Sequence, residues 1–281
     1  MTPTNPDLIS PDLRTALRRL KLGRMLDTLP ERLALARSQQ MPHQDFLLLV
    51  LADESSRRDS QAATVRAQRA HLDPTMQLEA WDSTAKVTYD RMLLHELVSL
   101  RFVEAHTHVA IVGPVGVGKT FLAHALGHAA CRRGYSVVAL RADKMLKTLK
   151  HARLDNTYEP ELRKLIAADL LIVDDFALDA MDSTESRDAY EIFTERHRAG
   201  SMVVTSNRGP DEWLATFADQ VRAQSAIDRF TSASYDLVVD GESYRRRLKP
   251  KAASSTTAAA LPASATPPRH TRRRARTQRA S

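Results

Sequence analysis

The amino-acid sequence predicts an α/β fold in which a five-stranded parallel sheet is flanked by helices. An all-helical N-terminal domain precedes the sheet and a disordered basic tail follows it. From about residue 106 to 249, short apolar segments alternate with helical stretches, a pattern typical of parallel strands covered on both faces. Residues 11 to about 105 look entirely helical, and glycine occurs there only at Gly23.

The two ends of the chain differ from the rest in charge and composition. Of 281 residues, 41 are basic and 34 acidic, a formal net charge of +7. Residues 251–281 hold seven of the basic residues and no acid, so the rest of the chain is neutral. Their only large apolar residue is Leu261, which is too little apolar surface to offset the entropy of ordering. We expect residues 250–281 to be disordered and residues 1–10, with two prolines, to be flexible.

Several classes of protein are excluded by composition. The single cysteine, Cys131, excludes an intramolecular disulfide and a multi-cysteine zinc site. The longest apolar run, at residues 46–52, is far too short to span a bilayer. The N-terminus lacks the basic start and apolar stretch of a secretory signal. We therefore expect a soluble intracellular protein.

Three helices are predicted in the N-terminal region: at residues 12–24, from near Pro42, and at roughly 84–101. The first carries five basic residues between positions 14 and 24 and no acid. A face of this helix is a candidate for contacts with DNA phosphates, although solvated helix faces look the same. Its basic residues are Arg14, Arg18, Lys21 and Arg24.

Five short apolar segments are predicted strands of the sheet. They are His108–Val112, Ser136–Leu140, Asp169–Val173, Ser201–Thr205 and Tyr235–Val239.

A phosphate-binding loop is predicted directly after the first strand. The sequence from Gly113 to Thr120 matches G-x-x-x-x-G-K-[ST], and a helix follows. Glycines allow close wrapping, backbone N–H groups face the phosphates, Lys119 reaches the β- and γ-phosphates, and the Thr120 hydroxyl binds Mg²⁺. The predicted nucleotide-binding residues are Gly113, Pro114, Val115, Gly116, Val117, Gly118, Lys119, Thr120 and Phe121.

Polar residues end two further strands. Asp174 and Asp175 follow a buried strand, at the sheet edge where α/β proteins bind ligands. Asp174 is expected to hold Mg²⁺, partly through water, and Asp175 to orient or deprotonate the attacking water. Asn207 ends the next strand and is a candidate to position that water, although Ser-Asn-Arg-Gly-Pro is also ordinary turn chemistry. Arg229 and Arg245 are candidate phosphate-stabilising arginines, against the alternative of plain surface charge.

Together these motifs resemble the IstB-type ATPases, helper proteins of bacterial insertion sequences. That family belongs to the AAA+ ATPases and is similar to bacterial helicase loaders. The resemblance covers about residues 20–249. It rests on Phe46-Leu47, Asp53-Glu54 and Arg57, on GPVGVGKTFLAHALG (113–127), LLIVDDF (171–176), VVTSNR (203–208) and Glu212-Trp213, and on AIDRF (226–230) and GESYR (241–245).

The resemblance implies a role for each candidate residue. Residues 113–120 match the Walker A loop, and Asp174 and Asp175 match Walker B, where many AAA+ proteins have Asp-Glu. Asn207 matches sensor 1. Arg229 matches the arginine finger that acts on ATP held by a neighbouring subunit, and Arg245 matches a sensor 2-like arginine.

The resemblance also implies cofactors and partners. These are ATP and Mg²⁺, self-association into ATP-dependent oligomers on double-stranded DNA, and delivery of that DNA to a transposase in the bacterial cytoplasm. Three other readings stay open: a helicase loader acting on a protein partner, a small-molecule phosphotransferase, and a nucleotide-gated protein with negligible hydrolysis if Asp175 reaches the water poorly.

Overall fold

The computed structural model describes residues 9–82 and 84–244. The predicted tail, at 250–281, and residues 1–8 of the predicted flexible N-terminus, at 1–10, lie outside these residues. The first part of the chain forms five α-helices and one short strand. They are α1 (Pro11–Arg19), α2 (Leu29–Ser38), α3 (His43–Arg69), β1 (Val87–Thr88), α4 (Arg91–Val98) and α5 (Arg101–Glu104).

The second part alternates strands with helices, as expected of parallel pairing. Its elements are β2 (His108–Val112), α6 (Lys119–Arg133), β3 (Val137–Arg141), α7 (Ala142–Leu154), α8 (Tyr158–Ala167), β4 (Leu170–Asp174), α9 (Ser183–Arg196), β5 (Ser201–Ser206), α10 (Pro210–Trp213), α11 (Gln220–Thr231), β6 (Ser234–Val238) and β7 (Asp240–Gly241).

The predicted five-stranded parallel sheet is confirmed. Its order is β3-β4-β5-β2-β6, and every neighbouring pair is parallel. Each predicted strand lies within one residue of its observed position. In this order the strand before the phosphate-binding loop lies between β5 and β6, so its carboxyl end meets the polar ends of β4 and β5 at one edge.

Both faces of the sheet are buried. Val109 and Ile111 on β2, and Leu170 and Ile172 on β4, pack on the α6 side. The intervening residues pack on the side of α7, α9 and α11, where Phe176, Phe193, Trp213 and Phe230 form a cluster of aromatic rings. Burial on both faces explains why these strands are apolar throughout rather than alternating.

The N-terminal helices have a small core of their own, made by Ile9, Leu17, Met25, Leu29 and Val50. Helix α3 extends from this core to the sheet domain. Near its C-terminal end, Ala67 joins the core on the α6 side and Arg66 Nε donates to the Cys131 carbonyl at 2.9 Å.

Ion pairs explain the Asp-Glu…Arg motif of α3. Asp53 accepts from Arg32 on α2 at 2.6 Å. Buried Glu54 accepts from Arg57 at 2.8 Å and from Arg58 at 2.7 Å. Hydrogen bonding from Arg57, reinforced by Arg58, lowers the pKa of Glu54 to about 2. These contacts give the motif a structural function in joining the N-terminal helices.

Two helix predictions are wrong. The helix expected at 12–24 ends at Arg19, and Lys21 adopts a left-handed φ of 60°. The helix expected at 84–101 is divided into β1, α4 and α5, because Asp90 caps a new helix and Leu100 has a left-handed φ of 62°. No helix among the described residues is long and apolar enough to cross a membrane.

Candidate functional site

Lys119 lies at the centre of the loop between β2 and α6. It is the first residue of α6 and is buried, and Gly118 before it has a left-handed φ of 105°. Its Nζ donates to the carbonyls of Gly113 and Pro114, each at 2.8 Å, and to Asn207 Oδ1 at 2.7 Å. The ammonium group therefore connects the loop to the end of β5.

Thr120 and Asp174 form the second link across this edge. The Thr120 hydroxyl donates to Asp174 Oδ1 at 2.9 Å. Thr205, on β5, donates to the same carboxylate oxygen at 2.5 Å. Asp174 is buried, so these two hydroxyls fix the orientation of its carboxylate.

Asp175 lies beside this network in an uncommon conformation. Its φ is 55°, a left-handed value that Asp and Asn tolerate better than other side chains. Its N–H donates to Thr205 Oγ1 at 3.0 Å. Its carboxylate is half-buried, with Oδ2 4.0 Å from Nε of Arg141 on β3.

The loop glycines are required by protein neighbours as well as by their conformation. A Cβ on Gly113 would lie 1.9 Å from the Val239 carbonyl oxygen, and one on Gly116 would lie 2.1 Å from Ser243 Oγ. A Cβ on Gly118 would lie 2.8 Å from the Trp81 ring. All three glycines have positive φ. Residues before β2 and after β6 thus enclose the loop.

Of the other predicted site residues, the structure describes Arg229 and Phe121. Arg229, on α11, donates within its own helix to the carbonyl of Ser225 at 2.9 Å and to the Ser225 hydroxyl. It has no hydrogen bond to the phosphate-binding loop in the part of the chain that the structure describes. Phe121 contacts Trp81, with ring centroids 5.3 Å apart. Arg245 lies outside the described residues.

The four basic residues predicted to contact DNA do not share one helix face, so that part of the prediction is wrong. Arg14 and Arg18 lie on α1. Lys21 lies in the following turn, and Arg24 lies in a 3-10 helix (Gly23–Asp27), 3.8 Å from Asp27. The left-handed φ of Lys21 separates Arg14 and Arg18 from Arg24.

Sequence reasoning missed several residues at the site. Thr205 precedes the Ser-Asn pair, and its hydroxyl contacts both Walker B positions. Arg141 is opposite Asp174 in the β3–β4 register, which only strand pairing reveals. Trp81 lies in the N-terminal region, which was predicted to be helical with no role at the site. His124, one turn after Thr120, accepts from the Asp73 N–H at 3.0 Å, and burial lowers its pKa.

The residues present fit a magnesium–nucleotide complex. Mg²⁺ takes oxygen ligands and is commonly held by one or two carboxylates together with substrate phosphates. The Thr120 hydroxyl and the Asp174 carboxylate are adjacent oxygen donors beside the loop. The sheet order, the loop and the polar strand ends together define a P-loop nucleotide-binding protein of the AAA+ class.

Comparisons with known proteins identify the family. Residues 15–252 match the model of the IstB-like ATP binding proteins, and the chain belongs to this family. An insertion-sequence ATP-binding protein of Mycobacterium tuberculosis is 38% identical over 244 residues, which cover 86% of this chain and 97% of that protein. The ATP-binding protein of insertion sequence IS21 from Pseudomonas aeruginosa is 33% identical, covering 86% and 91%.

Solved structures support the fold. The crystal structure of DnaI matches with a TM-score of 0.50 and 20% identity, covering 58% of this chain and 90% of that one. A primosome component from Streptococcus pyogenes matches with a TM-score of 0.50 and 20% identity, covering 65% and 98%.

Proposed function

We propose that this protein is an ATP-hydrolysing AAA+ helper of transposition, which oligomerises on double-stranded DNA and delivers that DNA to a transposase. The observation that carries the ATPase proposal is the pair of links at one sheet edge, Lys119 to Asn207 and Thr120 to Asp174. They join the phosphate-binding loop to the two strands whose polar ends serve water activation in this class of enzyme.

Each residue has a task in the proposed hydrolysis. Lys119 binds the β- and γ-phosphates, while Thr120 and Asp174 hold Mg²⁺, which neutralises phosphate charge when bound. Asn207 and Asp175 orient the water that attacks the γ-phosphorus, and Asp175 accepts its proton. The bond from the γ-phosphorus to the bridging oxygen of ADP breaks in the same reaction.

Arg229 is proposed to complete the site of a neighbouring subunit. Its hydrogen bonds within α11 support this role, since it makes none to the phosphate-binding loop of its own chain within the described residues. Stabilisation of transferring phosphate by an arginine supplied in trans raises turnover strongly in related chemistry. Arg245 is proposed as a sensor 2-like arginine for nucleotide in its own subunit.

Sequence-tolerant binding to DNA is proposed through phosphate contacts from Arg14, Arg18, Lys21 and Arg24. The chain outside its tail is electrically neutral, so a single subunit has few such contacts. Several subunits on one duplex multiply weak contacts through effective concentration. The relatives are named as insertion-sequence proteins, which supports a transposase of the same element as the partner and the bacterial cytoplasm as the location.

The first experiment measures binding to a labelled non-specific duplex with ATP, ADP or no nucleotide, at about 50 and about 200 mM salt. We expect binding that requires ATP, weakens with salt and is lost in Lys119→Ala and Arg229→Ala. Absent or nucleotide-independent binding would contradict the transposition-helper proposal. It would favour a loader-type ATPase acting on a protein partner, the alternative supported by the likeness of fold to DnaI.

A further inference from the structure

The segment after β6 makes direct contact with the phosphate-binding loop. The Tyr244 N–H donates to the Gly116 carbonyl at 2.8 Å. Ser243 packs so closely on Gly116 that a Cβ there would lie 2.1 Å from Ser243 Oγ and 2.9 Å from Ser243 Cβ. Gly116, with a φ of 88°, is therefore the only kind of residue that fits beneath this segment.

A short antiparallel pairing holds the segment in register. Val87 and Thr88 of β1 pair with Gly241 and Asp240 of β7. The Glu242 N–H donates to the Lys86 carbonyl at 3.1 Å. Gly241 has a φ of 139°, and a Cβ on it would lie 2.2 Å from the Lys86 carbonyl oxygen. Residues 241–244 are thus positioned by backbone contacts on both sides.

The hydrogen bond to Gly116 fixes the direction of the next N–H group. In a trans peptide the carbonyl and the N–H point in opposite directions. Because the Gly116 carbonyl points to Tyr244, the Val117 N–H points away from residues 241–244. Val117 itself is buried in the core on the α6 side, directly before Gly118.

We propose that Tyr244 is a positioning residue of the nucleotide site, whose backbone N–H orients the Gly116–Val117 peptide so that the Val117 N–H donates to a phosphate oxygen of the nucleotide. The inference rests on the proposed nucleotide-binding function and adds a role for the segment that precedes Arg245. Successive N–H groups of a loop form an anion-binding concavity only when each peptide is correctly turned. Tyr244 supplies that constraint from outside the loop.

A proline substitution tests the role of one N–H group. Tyr244→Pro loses both the tyrosine side chain and the backbone N–H, whereas Tyr244→Ala loses the side chain and keeps the N–H. ADP is the probe, measured by calorimetry, because it has no γ-phosphate for Arg245 or Asn207 to contact. We expect Tyr244→Pro to bind ADP about tenfold more weakly than Tyr244→Ala, the equivalent of one lost hydrogen bond. Equal affinities in the two variants would overturn the proposal.

A second pair of variants covers the case in which Tyr244→Pro fails to fold. Ser243→Val places a methyl group where the hydroxyl packs on Gly116 and displaces the segment, whereas Ser243→Gly relieves the contact. We expect ADP affinity to fall several-fold in the valine variant relative to the glycine variant, with equal melting temperatures. No difference in ADP affinity would contradict the inference. A wild-type chain that binds neither ADP nor ATP would contradict the proposed function itself.

Discussion

Lys119 and Asn207 are joined by a hydrogen bond of 2.7 Å, from Nζ to Oδ1, across the edge of the sheet between α6 and β5. We expect Asn207→Ala to lower kcat about a hundredfold, since an oriented polar group near the reacting atoms typically contributes this much. ATP affinity should change little in this variant. Steady-state hydrolysis and equilibrium binding separate the two effects, and unchanged turnover would remove Asn207 from the mechanism.

Asn207→Asp is the matched charge variant. Its carboxylate pairs more strongly with Lys119 and adds negative charge beside the phosphates. We therefore expect it to weaken ATP binding as well as turnover, unlike the alanine variant. If this variant binds ATP as tightly as wild type, Lys119 does not have to break its hydrogen bond with residue 207 in order to bind phosphate.

Asp175 is predicted to limit turnover by its reach to the water. Asp175→Glu adds one methylene, and we expect kcat to rise several-fold if reach is limiting. The φ of 55° favours Asp and Asn over Glu, so this variant should also melt at a lower temperature. Asp175→Asn suits the same backbone but cannot accept a proton, and should abolish hydrolysis. If Asp175→Asn hydrolysed ATP as fast as wild type or faster, Asp175 could not be the base.

Arg18 is predicted to contact a DNA phosphate. Removing one such contact in Arg18→Ala should reduce the slope of log K against log salt by about 1. Arg37, exposed on α2, is the matched control, and Arg37→Ala should keep the wild-type slope. Equal slopes for both variants would place the DNA contacts elsewhere.

Buried His108 makes stability depend on pH. Its Nδ1 accepts from the Met202 N–H at 3.2 Å, its ring stacks on Phe230, and burial lowers its pKa from 6.5 to about 4. Because the folded pKa is the lower one, the unfolded chain binds the proton first. Stability is thus fully present above pH 6.5 and is lost as the pH falls towards 4.

Urea unfolding of His108→Asn measures this effect, since Asn keeps an acceptor near Nδ1 and does not titrate. Between about pH 7.5 and pH 5, wild type should lose about 2 kcal/mol more of its free energy of unfolding than the variant. Equal losses would show that another group carries the pH dependence.

Arg196 is predicted to be among the costliest residues to replace. Its side chain is fully buried and donates to the carbonyls of Leu165 and Ile166, at 2.7 and 2.8 Å, and of Ser201, at 2.5 Å. It thereby satisfies the end of α8 and joins it to β5. Arg196→Met should lower the free energy of unfolding by about 3–5 kcal/mol.

Arg196→Lys, which keeps the charge but offers one nitrogen, should fall between wild type and Arg196→Met. Denaturant titrations of the three proteins measure the order. Equal destabilisation by Lys and Met would show that the charge contributes nothing.

The parallel sheet and the loop were predictable because they depend on local pattern. Continuous apolar segments predict strands buried on both faces, and G-x-x-x-x-G-K-T has meaning only between a strand and a helix. The N-terminal helices were less predictable, because the apolar spacing around Leu20 continues past the real end of α1. The left-handed residues Lys21 and Leu100 interrupt the helical pattern without glycine, so composition gives no signal for them.

The sequence by itself determined the strands, the phosphate-binding loop and the polar residues at the strand ends. The strands follow from periodicity, and the loop and polar residues follow from what phosphate binding requires. Only the tertiary structure decided which residues meet. The order β3-β4-β5-β2-β6 brings Lys119 to Asn207 and Arg141 to Asp175, although their separations along the chain are long. The contact of Tyr244 with Gly116 is likewise set by the pairing of β1 with β7, because hydrogen bonds between distant backbone groups leave no pattern in the sequence.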